Sequence, residues 1–346
     1  MKKVPIGEIQ EKSNEEIISD LHACRYSLLD SMGCRKLRLE MFLPGKISAI
    51  FVRYLIWKAK RKSGKNWTTT VRSYIIKLFK KLAPYTFDRN DQMPLNSGGI
   101  VIGFNHPSLG EILRLIAIVS KQYPYNNYLF PVNLPWFEAL CPVIDLMKEA
   151  GFILTPIVTP STRAKIAKEA GEEMADFAMS VNRGFNNTYI NLCREFAENG
   201  DIILVAPSAT RQRTVFKSDE ELTMKQKIEP QTMSLIASAL SRVKNIDHLQ
   251  FLPVAVVPER KVKRGLNLRD LYRFGISKAF SALEAKQLSR EKAGSSGGRM
   301  FDYAFLGRIA AKMFHMGNYS LIAPLEDAEA LDALGKILES TSGSAV

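Results

Sequence analysis

Gly99-Ile100-Val101-Ile102-Gly103-Phe104-Asn105-His106-Pro107-Ser108-Leu109-Gly110-Glu111 carries an apolar run into a histidine, and a carboxylate follows five positions later. Ile100 to Phe104 is short and uninterrupted, the pattern of a strand buried on both faces. From Leu109 onward, small and apolar residues (Leu113, Ile116, Ala117, Ser120) recur at helical spacing. His106 therefore falls in a strand-to-helix turn. In open α/β sheets, ligands and catalysts gather beyond the carboxyl ends of the strands, where side chains converge on a rigid frame.

Two readings of this turn compete. In the chemical one, His106 is a general base, and Glu111 fixes its tautomer and stabilises the imidazolium as it forms. The turn lets the imidazole fold back over the first helical turn, which a continuous helix would forbid at this spacing. In the structural one, Ser108-Leu109-Gly110-Glu111 is a capping box, with Ser108 as N-cap and Glu111 reaching back to its backbone N–H.

Working outward, strand-like and helical stretches alternate. Ala150–Ile157, Ile202–Ala206 and Phe251–Val257 read as strands; Ile190–Asn199 and Thr232–Arg242 read as helices. This predicts an α/β fold with a largely parallel central sheet flanked by helices. Before it, residues 1–85 read as a small N-terminal helical domain broken at Pro44-Gly45 and Ser63-Gly64. The α/β domain is expected over 86–339, with a mobile loop at Ser289–Arg299, and 340–346 as a frayed tail.

Composition narrows the function classes. The 346 residues are 46% hydrophobic, ordinary for a globular protein with a substantial core. Cys24, Cys34, Cys141 and Cys193 form no CxxC pair and suggest neither zinc nor a disulfide framework. They read as thiols in a reducing compartment. The four histidines are too scattered for a metal site, so no metal is expected. The N-terminus lacks a signal-peptide core, and no stretch approaches ~20 apolar residues. The expected location is the cytoplasm, with peripheral contact at a membrane.

The formal charge of +13 calls for anionic partners. Between Glu40 and Asp88 there is no acidic residue, while lysines and arginines alternate with Phe51, Leu55, Trp57, Trp67, Tyr74 and Phe79. Such a basic amphipathic region suits an anionic membrane surface or an acidic carrier protein. Nucleic acid is not expected, because no nucleic-acid-binding signature accompanies the charge.

A second site follows the Ile202–Ala206 strand, in Pro207-Ser208-Ala209-Thr210-Arg211-Gln212-Arg213. Arg211 and Arg213, at alternate positions of an extended loop, have the geometry to grip a phosphate through forked hydrogen bonds, with Ser208 and Thr210 supplying hydroxyls.

With both sites in view, a resemblance becomes specific. Asn105-His106-Pro107-Ser108-Leu109-Gly110-Glu111 resembles the Asn-His motif of the glycerolipid acyltransferase superfamily, usually His-x-x-x-x-Asp, with glutamate here in place of aspartate. Ala206–Arg213 is similar to the Ala-Pro-Ser-Gly-Gly-Arg-Asp-Arg motif of the soluble, plastid-type glycerol-3-phosphate acyltransferases. It is less like the Phe-Pro-Glu-Gly-Thr-Arg of lysophosphatidate acyltransferases. Phe251-Leu252-Pro253-Val254-Ala255 resembles the superfamily's last motif, and an N-terminal helical domain is part of the soluble subfamily's architecture.

The resemblance implies acyl transfer from acyl-carrier protein or acyl-CoA, as co-substrate and without a cofactor, to a hydroxyl of glycerol 3-phosphate or a related phosphorylated acceptor. His106 becomes the base and Glu111 its orienting carboxylate. Arg211 and Arg213 clamp the acceptor's phosphate, with Asn105, Ser108, Ser208 and Thr210 lining the site. The family's Lys-Lys-His segment has no counterpart, and Arg163 and Lys165 are the expected substitutes. A lysophospholipid or another hydroxyl acceptor is the alternative within the superfamily. A membrane-surface binding protein that keeps the fold without the activity is the alternative outside catalysis.

Overall fold

The apolar run Ile100–Phe104 forms a strand, and all five of its residues are buried. The computed structural model describes residues 3–82, 85–88, 91–95, 98–106, 110–207, 213–216, 222–225, 232–244, 246–259, 271–290, 300–316 and 319–322. The chain opens with α1 (Ile6–Gln10), α2 (Asn14–His22), α3 (Leu28–Ser31), α4 (Arg35–Ser63) and α5 (Trp67–Leu82). Strands and helices then alternate: β1 (Tyr85–Phe87), β2 (Ile100–Phe104), α6 (Gly110–Gln122), β3 (Tyr128–Asn133), α7 (Leu134–Leu140), α8 (Ile144–Glu149), β4 (Phe152–Ile157), α9 (Pro160–Ala170) and α10 (Glu172–Glu198). The remainder is β5 (Ile202–Val205), β6 (Arg213–Phe216), β7 (Leu222–Lys225), α11 (Thr232–Leu240), β8 (Gln250–Pro258), β9 (Tyr272–Ile276), β10 (Phe280–Ser281), α12 (Ala282–Arg290), α13 (Met300–His315) and β11 (Tyr319–Ile322). The fold is α/β, with a largely parallel sheet flanked by helices and a helical N-terminal region.

Two compact units share the chain, one of Met1–Tyr74 and Asn127–Leu192, the other of Ile75–Asn126 and Cys193–Val346. In the second, the strand order is β1-β9-β8-β2-β5, with β10 added to β8. β2 lies between β5 and β8 and runs parallel to both, with Ile102 opposite Leu204 on one side and Leu252 on the other. Apolar runs suit such a buried sheet: β5 is buried at all four positions and β8 at every position after Gln250. β9 pairs antiparallel with β8 and parallel with β1. Gly103 lets α13 close on this sheet, because a Cβ there would lie 2.3 Å from a ring carbon of Phe305. A separate small sheet pairs β6 antiparallel with β7, and β7 parallel with β11.

In the first unit β3 and β4 pair in parallel from Tyr128 opposite Phe152 to Asn133 opposite Ile157. Its core gathers Ile17, Leu21, Leu28, Leu134, Ile166 and Phe185. Three features differ from the sequence reading. Strand β3 was not expected, and Pro131 within it weakens the strand signal. Helix α4 runs unbroken through Pro44-Gly45. Gly45 permits close packing, since a Cβ would sit 2.3 Å from that of Ala139 on α7. Cys24 and Cys141, expected as thiols, form a disulfide across 117 residues with Cα atoms 5.7 Å apart. Cys34 and Cys193 lie outside this bridge and are buried. Helix α12 extends to Arg290, and the rest of the expected loop, like the 340–346 tail, lies outside the described residues.

One buried carboxylate ties this unit together. Glu138 on α7 accepts from the Ser27 hydroxyl at 2.6 Å and from the Leu29 N–H at 3.1 Å, covering the open start of α3. Burial pushes its carboxyl up to about 7, against the lowering effect of those donors. Because the folded state holds the proton more tightly than an unfolded glutamate does, the stabilisation is complete at low pH and is lost as pH rises through about 7. The stability of the parent should therefore fall relative to Glu138→Gln by about 3 kcal/mol as pH rises from 4.5, the ordinary glutamate value, to about 7 and beyond. Urea denaturation of both proteins across that range measures the difference.

Candidate active site

At the carboxyl end of β2 the chain leaves the sheet, and Asn105 holds the exit. Its side-chain amide donates to the Val256 carbonyl at 2.7 Å, and its side-chain oxygen accepts from the Val256 N–H at 2.6 Å. The side chain thus continues the β2–β8 ladder just past Phe104, the last backbone pair. Asn105 is completely buried. The sequence reading places it among substrate contacts; the structure commits its carboxamide to the backbone of β8, where it anchors the next residue.

That residue is His106, whose Nδ1 contacts Oε1 of Glu111 in the first turn of α6. The glutamate is fully enclosed, while the imidazole keeps 13% of its side-chain surface open. A buried carboxylate requires a compensating donor or charge. With Nδ1 facing Glu111, the proton on that nitrogen is fixed and Nε2 becomes the basic atom. The pair can take a proton from a reactant at Nε2, and the carboxylate stabilises the imidazolium that forms.

Arg114, three residues further along α6, is also completely buried, and its guanidinium carbon lies 4.6 Å from the centroid of the Tyr272 ring. Residues three apart share a helix face, so α6 buries opposite charges on the side that carries Glu111. Sequence reasoning missed Arg114. The available signal was a cation inside the apolar run Ile112-Leu113-Arg114-Leu115-Ile116, where a charge is expected only with a partner.

The second motif begins beside the first. Gly103 of β2 pairs with Val205 of β5, so the parallel strands deliver Asn105-His106 and Ala206-Pro207 to the same sheet edge. Ser108, Ser208, Thr210 and Arg211 lie outside the described residues. Arg213 opens β6, opposite Lys225 of β7. Arg163 and Lys165 lie on α9 in the first unit. Arg163 pairs there with Glu172 and Asp176, and Lys165 with Glu40. Among the described residues, no group of three or more His, Cys, Asp or Glu is placed to hold a metal ion.

No protein-family model matches the sequence, and no curated protein sequence matches it. Solved structures are similar to it, one of them the 1-acyl-sn-glycerophosphate (LPA) acyltransferase of Thermotoga maritima, at 13% identity and a TM-score of 0.38, with 77% of this chain and 90% of that one covered.

The anchoring role of Asn105 has a direct consequence. Asn105→Ala strips partners from both the N–H and the C=O of Val256 in the buried sheet, a loss of about 2–4 kcal/mol. Urea unfolding of the variant should show a drop of that size.

Proposed function

We propose that this protein is an acyltransferase that moves a fatty acyl group from a thioester, acyl-carrier protein or acyl-CoA, to the hydroxyl of glycerol 3-phosphate. The observation that carries the reading is the His106–Glu111 pair at the carboxyl edge of a parallel sheet, with Nδ1 engaged and Nε2 the basic nitrogen. In this mechanism Nε2 takes the hydroxyl proton as the oxygen attacks the thioester carbonyl. The tetrahedral intermediate collapses, the C–S bond breaks, and the imidazolium returns its proton to the departing thiolate. Glu111 holds the ring and stabilises its charged form. The first-turn N–H groups of α6 are the oxyanion donors in this reading.

The resemblance of Ala206–Arg213 to the phosphate-binding motif of the soluble enzymes supports a phosphorylated acceptor, with Arg211 and Arg213 as its clamp. A second reading, acylation of a lysophospholipid, is favoured by the exposed apolar residues of α4, among them Ile50 and Trp57. Those residues suit an acceptor met at a lipid surface.

Thiol release from palmitoyl-CoA and from an acyl-carrier thioester, with and without glycerol 3-phosphate, tests the proposal. Acceptor-dependent release should fall by about 10²–10⁴-fold in His106→Ala, the range expected for loss of a general base. Equal rates in parent and variant would refute the base assignment. Release stimulated only by lysophospholipid vesicles would select the second acceptor. In Glu111→Gln, kcat should fall while KM stays near the parent value, because the carboxylate acts on the charged imidazole formed during the reaction.

A further inference from the structure

Helix α4 presents two different sides. Gly45, Ala49, Leu55, Ile56 and Ala59 are buried, and the approach to Ala139 noted above closes that side against α7. On the other side Ile47, Ile50, Tyr54 and Trp57 follow one another at intervals of three, four and three residues, which is one stripe along a helix. They are 59%, 69%, 51% and 56% exposed. Apolar side chains aligned in water mark a surface meant to be covered.

Charge identifies what covers it. Between Glu40 and Asp88 the sequence holds eleven lysines and arginines and no acidic residue. Where the stripe ends, Tyr54, Trp57, Lys58, Arg61, Lys62 and Tyr74 line an open cleft of about 310 Å³. The Lys58 ammonium lies 5.3 Å from the Tyr74 ring centroid and the Arg61 guanidinium carbon 5.7 Å from that of Trp57. Cations supported on aromatic faces retain N–H groups for an anion. No described helix is long and apolar enough to cross a membrane, so α4 would lie along a bilayer rather than pass through it.

We infer that the stripe and cleft of α4 form a docking surface for an anionic lipid bilayer. Ile47, Ile50 and Trp57 enter the boundary between headgroups and acyl chains, and Lys58, Arg61 and Lys62 take the lipid phosphates. An acidic protein partner would use the cations but leave Ile47 and Ile50 without a role. The surface lies wholly within the first unit and does not depend on the catalytic reading.

Sedimentation of the full chain with phosphatidylglycerol-containing vesicles, against vesicles of phosphatidylcholine alone, tests the inference. Binding to the anionic vesicles should be at least tenfold tighter and should weaken with salt. Lys58→Glu/Arg61→Glu/Lys62→Glu should weaken it more than 100-fold, since each basic residue near an anionic surface contributes a factor of about five. Ile47→Ser/Ile50→Ser should weaken it about tenfold, and Trp57→Ala, a single exposed change, reads the same insertion independently. Far-UV circular dichroism should match the parent in each. His106→Ala should bind vesicles as the parent does, which separates docking from catalysis. Three results would overturn the inference: no preference for anionic vesicles, unchanged binding in the stripe variants, or capture of an acyl-carrier protein by this surface without vesicle binding.

Discussion

A carboxylate withdrawn from water has to be answered, and the arrangement at the end of β2 follows from answering Glu111. Its oxygens sit in the first turn of α6 with no solvent access, and the imidazole of His106 is brought to them. Placing an acid at a helix start is inexpensive, because the N-terminal end of the helix dipole favours negative charge. Enclosing it is expensive unless donors converge. Arg114, a second buried charge on the same face, stacks against the Tyr272 ring. The local sequence thus concentrates charge where the rest of β2 and α6 is apolar, a conflict between fold stability and local composition that is typical of functional sites.

The histidine could not hold this position without the sheet. β2 is enclosed by parallel neighbours and closed from one side by Phe305, whose approach Gly103 alone permits. Asn105 extends the ladder by one residue through its side chain, so the chain turns away from β8 only at His106. A backbone pair in place of that amide would carry His106 onward as another strand residue. Substituting a side chain for the ladder fixes the last point of the strand and frees the next residue to turn back over the helix.

This explains which parts of the molecule were legible in the sequence. β2, β4, β5 and β8 are largely buried strands, so they read as apolar runs, and the pairing of a strand-end histidine with a carboxylate five residues on could be read from spacing. β3 was hidden by Pro131, and the continuity of α4 by Pro44-Gly45. In both places local propensity points to a break, and a long-range contact decides otherwise. Gly45 is explained by Ala139, and the partner of Asn105 is a backbone 151 residues away. The Cys24–Cys141 bridge spans 117 residues without a spacing pattern. Arg114 was overlooked because an apolar run containing one cation still has helical periodicity; what the period omits is that burial forces such a cation to have a partner.

Helix α4 shows how one segment can meet two demands by dividing its circumference. Close packing on α7 requires small residues, and Gly45 and Ala49 supply them, although glycine and proline weaken an isolated helix by about 1 and 3 kcal/mol. The opposite side gains little from folding, since more than half of the surface of Ile47, Ile50 and Trp57 remains in water. A sequence shaped by folding alone would place lysine or glutamate there, as it does elsewhere on exposed helix surfaces. Beyond Glu40 the segment holds no acidic residue of its own, so neutralising pairs such as Lys60–Glu149 must come from elsewhere in the chain. Apolar exposure and an excess of positive charge each oppose solubility or stability in isolation, and both are relieved at once by an apolar, anionic surface. That coincidence, rather than either feature alone, sets α4 apart from a helix that happens to be basic.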